Sequence, residues 1–169
     1  MKSIAGRAWV FGDDVNTDVM APGLYFKAPM DEMARHCLEA IEPRFAREVR
    51  PGDVVVAGRR FGVGSAREQA AMALTHLGVG AVLAVSFGRI FYRNALNFGL
   101  PLLFFPQAGE IGAGDEIEVE PVAGTIRNRT RAREYTVDGI PPHLMEMVAA
   151  GGLMPYLKGR LAAPPKEKR

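Results

Sequence analysis

The middle of the chain carries three short, almost wholly apolar runs, Asp53–Ala57, Ala81–Val85 and Leu102–Phe105. Runs of this length without polar alternation read as strands buried on both faces. A glycine-rich turn after the first leads into a predicted helix over Ala66–Leu77, and a second helix is predicted over Phe91–Asn97. The resulting β-α-β-α-β order predicts an α/β fold with a parallel sheet core. Ahead of it, Arg7–Phe11 reads as a further strand that Gly12 ends, and Asp31–Ile41 as a helix with Met33, Ala34, Cys37, Leu38 and Ile41 near one face. Beyond Gly114 the pattern changes to period 2 over Glu116–Glu120, Thr125–Arg129 and Arg133–Val137, which predicts a small antiparallel extension. Pro142–Ala150 reads as the last helix, and Lys158–Arg169 as a solvated tail.

The segment Asp13–Pro29 fits neither period and is rich in Asp, Asn, Gly and Pro. Connections this long inside a compact domain are functional or disordered. With 169 residues the chain suits one domain, and no internal repeat divides it. Hydrophobic residues at 48% and charged ones at 24% are the balance of a soluble globular protein. No apolar stretch approaches the length of a bilayer span, and Met1–Arg7 has no apolar signal core, so a cytoplasmic location is expected. The formal charge of +2 comes from Lys166, Lys168 and Arg169 less Glu167, which leaves residues 1–165 neutral and argues against a nucleic-acid surface. The arginines Arg127, Arg129, Arg131 and Arg133 share one face if extended, but no aromatic platform interleaves them, and a solvated hairpin face is expected. Cys37 is the single cysteine, with no His at metal-ligand spacing, so no metal site is expected on this chain.

Three segments carry candidate chemistry. Phe61-Gly62-Val63-Gly64-Ser65-Ala66-Arg67-Glu68 follows a buried strand and opens a helix, a setting that favours an anion. Gly62 and Gly64 allow close backbone approach, Ser65 suits a helix cap, and Arg67 offers a planar fork for a carboxylate or phosphate. A capped helix start with a solvated Arg explains the same spacing equally well. A dinucleotide site fits less well, because Arg67 replaces the last Gly of that pattern. Gly12–Asp18 places three acids and an Asn in seven residues, without the spacing of a calcium loop, so plain turn residues are the simpler reading. Ser86–Asn94 again joins a strand to a helix, where Arg89 and Asn94 can face a crevice at the strand ends while Arg93 meets water.

Taken together, Gly12–Tyr25, Val54–Glu68 and Ser86–Pro101 resemble the small-subunit family of 3-isopropylmalate dehydratase and homoaconitase, the counterpart of aconitase's C-terminal swivel domain. The likeness runs from about Gly6 to Gly152. It implies a swivelling β/β/α three-layer domain over residues 1–157 and a tail over 158–169. It further implies a hydro-lyase subunit that isomerises 2- and 3-isopropylmalate by dehydration and rehydration. A homoaconitase- or methylmalate-type substrate is the alternative. The family's [4Fe–4S] cluster is held by three cysteines of a large subunit, so this chain is expected to bind no cofactor itself and to work with that partner, while a homo-oligomer is open to the isolated chain.

Matched position by position, Ser65 resembles the family's catalytic base, and Arg67 the Arg that grips a substrate carboxylate beside Gly64. Asp18 matches the Asp of Asn-Thr-Asp that lines the closed site. Lys27, in Tyr25-Phe26-Lys27-Ala28, matches an Arg found in homoaconitase-type chains, and Phe26 and Leu24 offer apolar surface suited to an isopropyl group. The chain departs from the commoner Gly-Ser-Ser-Arg-Glu-His at Ala66 and Gln69, which removes one hydroxyl. The reading from another class is a non-catalytic module that holds an anionic metabolite at Gly62–Arg67.

Overall fold

The computed structural model describes residues 3–162. Strands β1 (Ile4–Val10), β2 (Val54–Ala57), β3 (Ala81–Ala84), β4 (Leu102–Phe104), β5 (Glu116–Glu120), β6 (Thr125–Asn128) and β7 (Arg133–Thr136) form one sheet in the order β4-β3-β2-β1-β5-β6-β7. The first four are parallel, with Ala8 opposite Val54 and Val54 opposite Ala81. β5 joins the far side of β1 antiparallel, and β6 and β7 extend it. The expected parallel core and antiparallel extension are both present, with β1 as the seam between them.

The order 4-3-2-1 steps one way, so right-handed crossovers set helices α4 (Glu68–His76) and α5 (Arg89–Asn97) on the same face. α4 buries Ala70, Ala71, Ala73 and Leu74, and these small side chains let it lie close to the sheet. β2 and β3 are buried at every residue, as their continuous apolar runs require. At the other end the sheet curls back on itself. Tyr135 of β7 meets Phe105, just after β4, edge-on at 5.1 Å, and Glu110 accepts from the Tyr135 hydroxyl and the Arg133 guanidinium, each at 3.0 Å. This curl sets antiparallel strands against the parallel half, and the helices add the third layer.

Several boundaries differ from the sequence reading. β1 starts at Ile4, because Ile4–Arg7 pairs with β5. The helix expected over Asp31–Ile41 ends at Ala34, as α2 (Met30–Ala34). Leu38 takes φ +60° and donates its N–H to the Val19 carbonyl at 2.8 Å, which turns the chain out of helix while keeping Cys37 and Leu38 buried. Two more short helices are present: α1 (Thr17–Met20), inside the stretch expected to be irregular, and α3 (Phe45–Glu48), in a connection to which the sequence reading assigns no element. α6 (Pro142–Ala149) is not the last helix: α7 (Leu153–Ala162) follows, so residues 158–162 are helical and residues 163–169 of the expected tail lie outside the described residues. No helix among the described residues is long and apolar enough to cross a membrane.

The seam is pinned by a buried acid. Asp53, 3% exposed, accepts from the Arg7 and Arg50 N–H groups at 2.9 and 3.0 Å and from the Trp9 indole at 3.0 Å. Burial pushes its carboxyl up, but these donors and the Arg7 charge outweigh it and hold the group below the usual range. Asp53→Ala leaves three donors unmatched and should cost about 2–4 kcal/mol of unfolding free energy at neutral pH. Because the folded carboxyl is the stronger acid, its contribution is present above the unfolded value of about 4 and lost as pH falls through the folded one. Urea unfolding of both proteins should therefore show a gap that closes under acid conditions.

Candidate active site

The carboxyl ends of β1, β2 and β3 open into three loops, and the loop after β2 is stitched between the other two. Gly58 and Gly62 donate to the carbonyls of Gly12 and Val15 at 3.1 and 2.7 Å, and Thr17 donates back to Val63 at 3.0 Å. On the other side, Phe61 donates to Ser86 at 3.0 Å and Gly88 to Phe61 at 2.9 Å. Gly62 is required at the centre: its φ is +79°, and a Cβ there would stand 2.2 Å from the Phe91 ring. All three segments singled out in the sequence thus meet along one edge of the parallel sheet, the usual ligand edge of such folds.

Ser65 is exposed on the turn before α4. It is not the helix cap, contrary to the local sequence signal. The helix starts at Glu68, Arg67 occupies the cap position, and no side chain caps it. Gly64, with φ +113°, swings the chain so that the Ser65 carbonyl turns inward, where it accepts from Thr17 Oγ1 at 2.9 Å and from the Arg67 N–H at 2.8 Å. The hydroxyl is left facing outward, and the N–H groups of Ser65 and Ala66 donate to no acceptor among the described residues.

Arg67 points back toward the loop after β1. Its Nη1 donates to the Ala21 carbonyl at 3.0 Å and pairs with Asp18 Oδ1 at 3.0 Å, and its guanidinium carbon stands 4.6 Å from the centre of the Phe26 ring. Asp18 is placed by Asn16, whose side chain accepts from the Asp18 and Val19 N–H groups at 2.9 and 3.1 Å and so starts α1. Thr17, Asn16 and the Ala21 carbonyl are structural members of the site that the sequence reading missed. The Asn-Thr-Asp order carries a capping signal for Asn16, but nothing local marks Thr17 as the anchor of Ser65.

The other acids of this loop are spent separately. Asp13 Oδ1 accepts from the Arg59 N–H at 2.6 Å, and Asp14 pairs with Arg60 at 2.6 Å. Among the described residues no three His, Cys, Asp or Glu side chains come together as a metal site. Cys37 is fully buried, and burial pushes its thiol up. Lys27 is exposed on the turn that follows Tyr25, and it is its neighbour Phe26 that meets Arg67. Arg89 is exposed at the start of α5 and lines a groove with Arg93, Phe87, Tyr92 and Phe104, while Asn94 is half-buried. Each arginine of the β6–β7 stripe meets a carboxylate: Arg127 with Glu120 and Glu134, Arg129 with Glu118, Arg131 with Asp115, and Arg133 with Glu110. That stripe offers no free cations to a phosphate backbone.

Residues 31–108 match the aconitase C-terminal domain, a segment that includes Ser65 and Arg67. The chain is 47% identical over 156 residues to the 3-isopropylmalate dehydratase small subunit of Moorella thermoacetica, covering 91% of this chain and 94% of that one. It is 46% identical over 157 residues to the methanogen homoaconitase small subunit of Methanothermobacter thermautotrophicus, covering 92% and 91%. A crystal structure of 3-isopropylmalate dehydratase from Methanocaldococcus jannaschii superposes with a TM-score of 0.89 at 42% identity, over 95% of this chain and 96% of that one. With near-complete coverage, matching architecture and a likeness that spans all three loops of the site, the chain belongs to the small-subunit family of 3-isopropylmalate dehydratase and homoaconitase, whose fold is that of the aconitase C-terminal domain.

Proposed function

We propose that this chain is the small subunit of a cytoplasmic two-subunit hydro-lyase that isomerises isopropylmalate by removing and re-adding water. The observation that carries the reading is the convergence of Ser65, Arg67 and Asp18 on one open edge, tied together by the Thr17–Ser65 and Arg67–Asp18 contacts. Dehydrating a hydroxy-acid requires a base at the carbon next to a carboxylate and a group to take the hydroxyl. In this reading Arg67 grips the carboxylate with its planar fork, beside the backbone at Gly64. Ser65, as an alkoxide stabilised by the Arg67 charge and the free N–H groups of the turn, takes the proton and becomes the neutral hydroxyl. Asp18 holds Arg67 and lines the closed site.

The chain's residues do not fit the family's iron–sulfur cluster. One buried thiol with its proton held by desolvation is not a ligand set, and no other cluster of ligands exists among the described residues. In this reading, as the family resemblance implies, the cluster belongs to a large partner subunit, and the exposed Ser65 edge is the half-site that the partner closes.

Reconstitution tests the whole reading. The chain alone, treated anaerobically with iron and sulfide, should stay colourless and show no turnover. Addition of a cluster-bearing large subunit should give isopropylmalate isomerisation. On the turn after Tyr25, the exposed Lys27 is the residue whose charge would bear on the choice of substrate. Side-by-side assays of isopropylmalate, homoaconitate and short methylated malates, with wild type and Lys27→Val, should favour isopropylmalate in both proteins. A preference for the tricarboxylic substrate that disappears in Lys27→Val would overturn that choice and make Lys27 the selector.

A further inference from the structure

Arg67 is the best-sheltered charge on the site edge, its side chain 20% exposed against 58% for its partner Asp18. Three contacts from a single segment of the chain hold it: the Asp18 carboxylate, the Ala21 carbonyl and the Phe26 ring. The two polar contacts both use Nη1. Nε and Nη2, which together form the side edge of the guanidinium plane, carry no hydrogen bond among the described residues. That edge presents two parallel N–H groups, the geometry a carboxylate accepts.

With one hydrogen bond, to the Ala21 carbonyl, and an ion pair at the same nitrogen, the plane is left free to rotate about that corner. The missing restraint is supplied from the flat side. Phe26 is 40% exposed on a turn, so core burial does not account for its position, and its ring stands 4.6 Å from the guanidinium carbon. An aromatic face at that distance attracts the cation and favours one orientation of its plane. We infer that Phe26 is a positioning residue for Arg67: its ring fixes the guanidinium plane so that the Nε–Nη2 edge faces the substrate carboxylate. The inference rests on the reading of Arg67 as the carboxylate grip. It also separates Phe26 from a contact to the substrate's variable end, because the carboxylate belongs to the malate-like half that the substrates share.

The test uses the reconstituted two-subunit enzyme, isopropylmalate and a methylated malate. Phe26→Leu keeps an apolar side chain and removes the aromatic face. It should raise KM for both substrates by the same factor, about 5- to 30-fold, with kcat and thermal stability little changed. Phe26→Tyr and Phe26→Trp, which keep a ring, should restore wild-type KM. In an Arg67→Lys background the Phe26→Leu change should have little further effect, since a compact ammonium has no plane to orient. A KM change confined to one substrate, or one that adds in full to that of Arg67→Lys, would make Phe26 a direct substrate contact and overturn the proposal. If Arg67→Lys alone left KM unchanged, the carboxylate grip itself would be wrong, and the same measurements would show it.

Discussion

Ser65→Ala, assembled with the large subunit, should lower kcat by about a thousandfold while changing KM little. The expected split follows from where the hydroxyl sits. Its backbone is anchored through the carbonyl, which accepts from Thr17 and from the Arg67 N–H, so removing Oγ leaves both of these anchoring bonds in place. In the proposed reading the ground-state grip on the substrate depends on Arg67 instead, and survives. What is lost is the group that takes the proton, an interaction made in the transition state rather than in binding, and such interactions appear in kcat rather than in KM. Near-normal turnover by Ser65→Ala would leave this hydroxyl without a part in proton transfer. Measuring the thermal midpoint of the variant distinguishes a chemical loss from a folding defect.

Arg67→Lys should act in the opposite sense, raising KM about 10- to 100-fold with a smaller effect on kcat. A lysine can still reach toward Ala21 or Asp18, because one ammonium satisfies one or two such acceptors. It cannot hold them and also present two parallel donors to a carboxylate. The wild-type arrangement divides the labour, with Nη1 committed to the protein and the remaining edge left open. Charge is conserved in this substitution, so long-range attraction of the anionic substrate persists. A steady-state comparison at fixed ionic strength isolates the loss of the fork. An unchanged KM would reduce Arg67 to a structural strut for the loop after β1.

The parts of the fold legible in the sequence are those where burial leaves only one period. Val54–Ala57 and Ala81–Ala84 are buried at every residue, and no helical spacing competes with that pattern. Period 2 marks β5 and β6 as clearly, with alternate buried positions. Helix α2 is illegible beyond Ala34 for the converse reason: Cys37 and Leu38 keep helical spacing and are buried, but Leu38 does so with a left-handed backbone. Periodicity reports which side chains face inward and is silent on the path between them. Ser65 misleads as a cap because serine favours that position wherever a helix follows a turn. The conformation of Gly64 instead delays the helix to Glu68, and the bond that fixes Ser65 comes from Thr17, 48 positions away. The site's residues are named by the family resemblance, but the way they hold one another is a tertiary fact.

The central position of β1 has a consequence for how the chain reaches this state. β2, β3 and β4 each pair with their sequence neighbour across one intervening helix, so that unit can assemble from comparatively local contacts. β1 leaves the ribosome first, yet its two partners are Val54–Ala57 and, far later, Glu116–Glu120. Closing loops of such different lengths is slow, and pairings distant in sequence raise the contact order that governs folding rate. The loop bearing Asp18 and Phe26 is the direct continuation of β1, so it reaches its final place only when that strand docks. Ser65 and Arg67 can be delivered early by the β2–α4 unit, but the contacts of Arg67 with Asp18, Ala21 and Phe26 are expected to form only when β1 docks. The site edge is therefore expected to be a late-forming part of the fold.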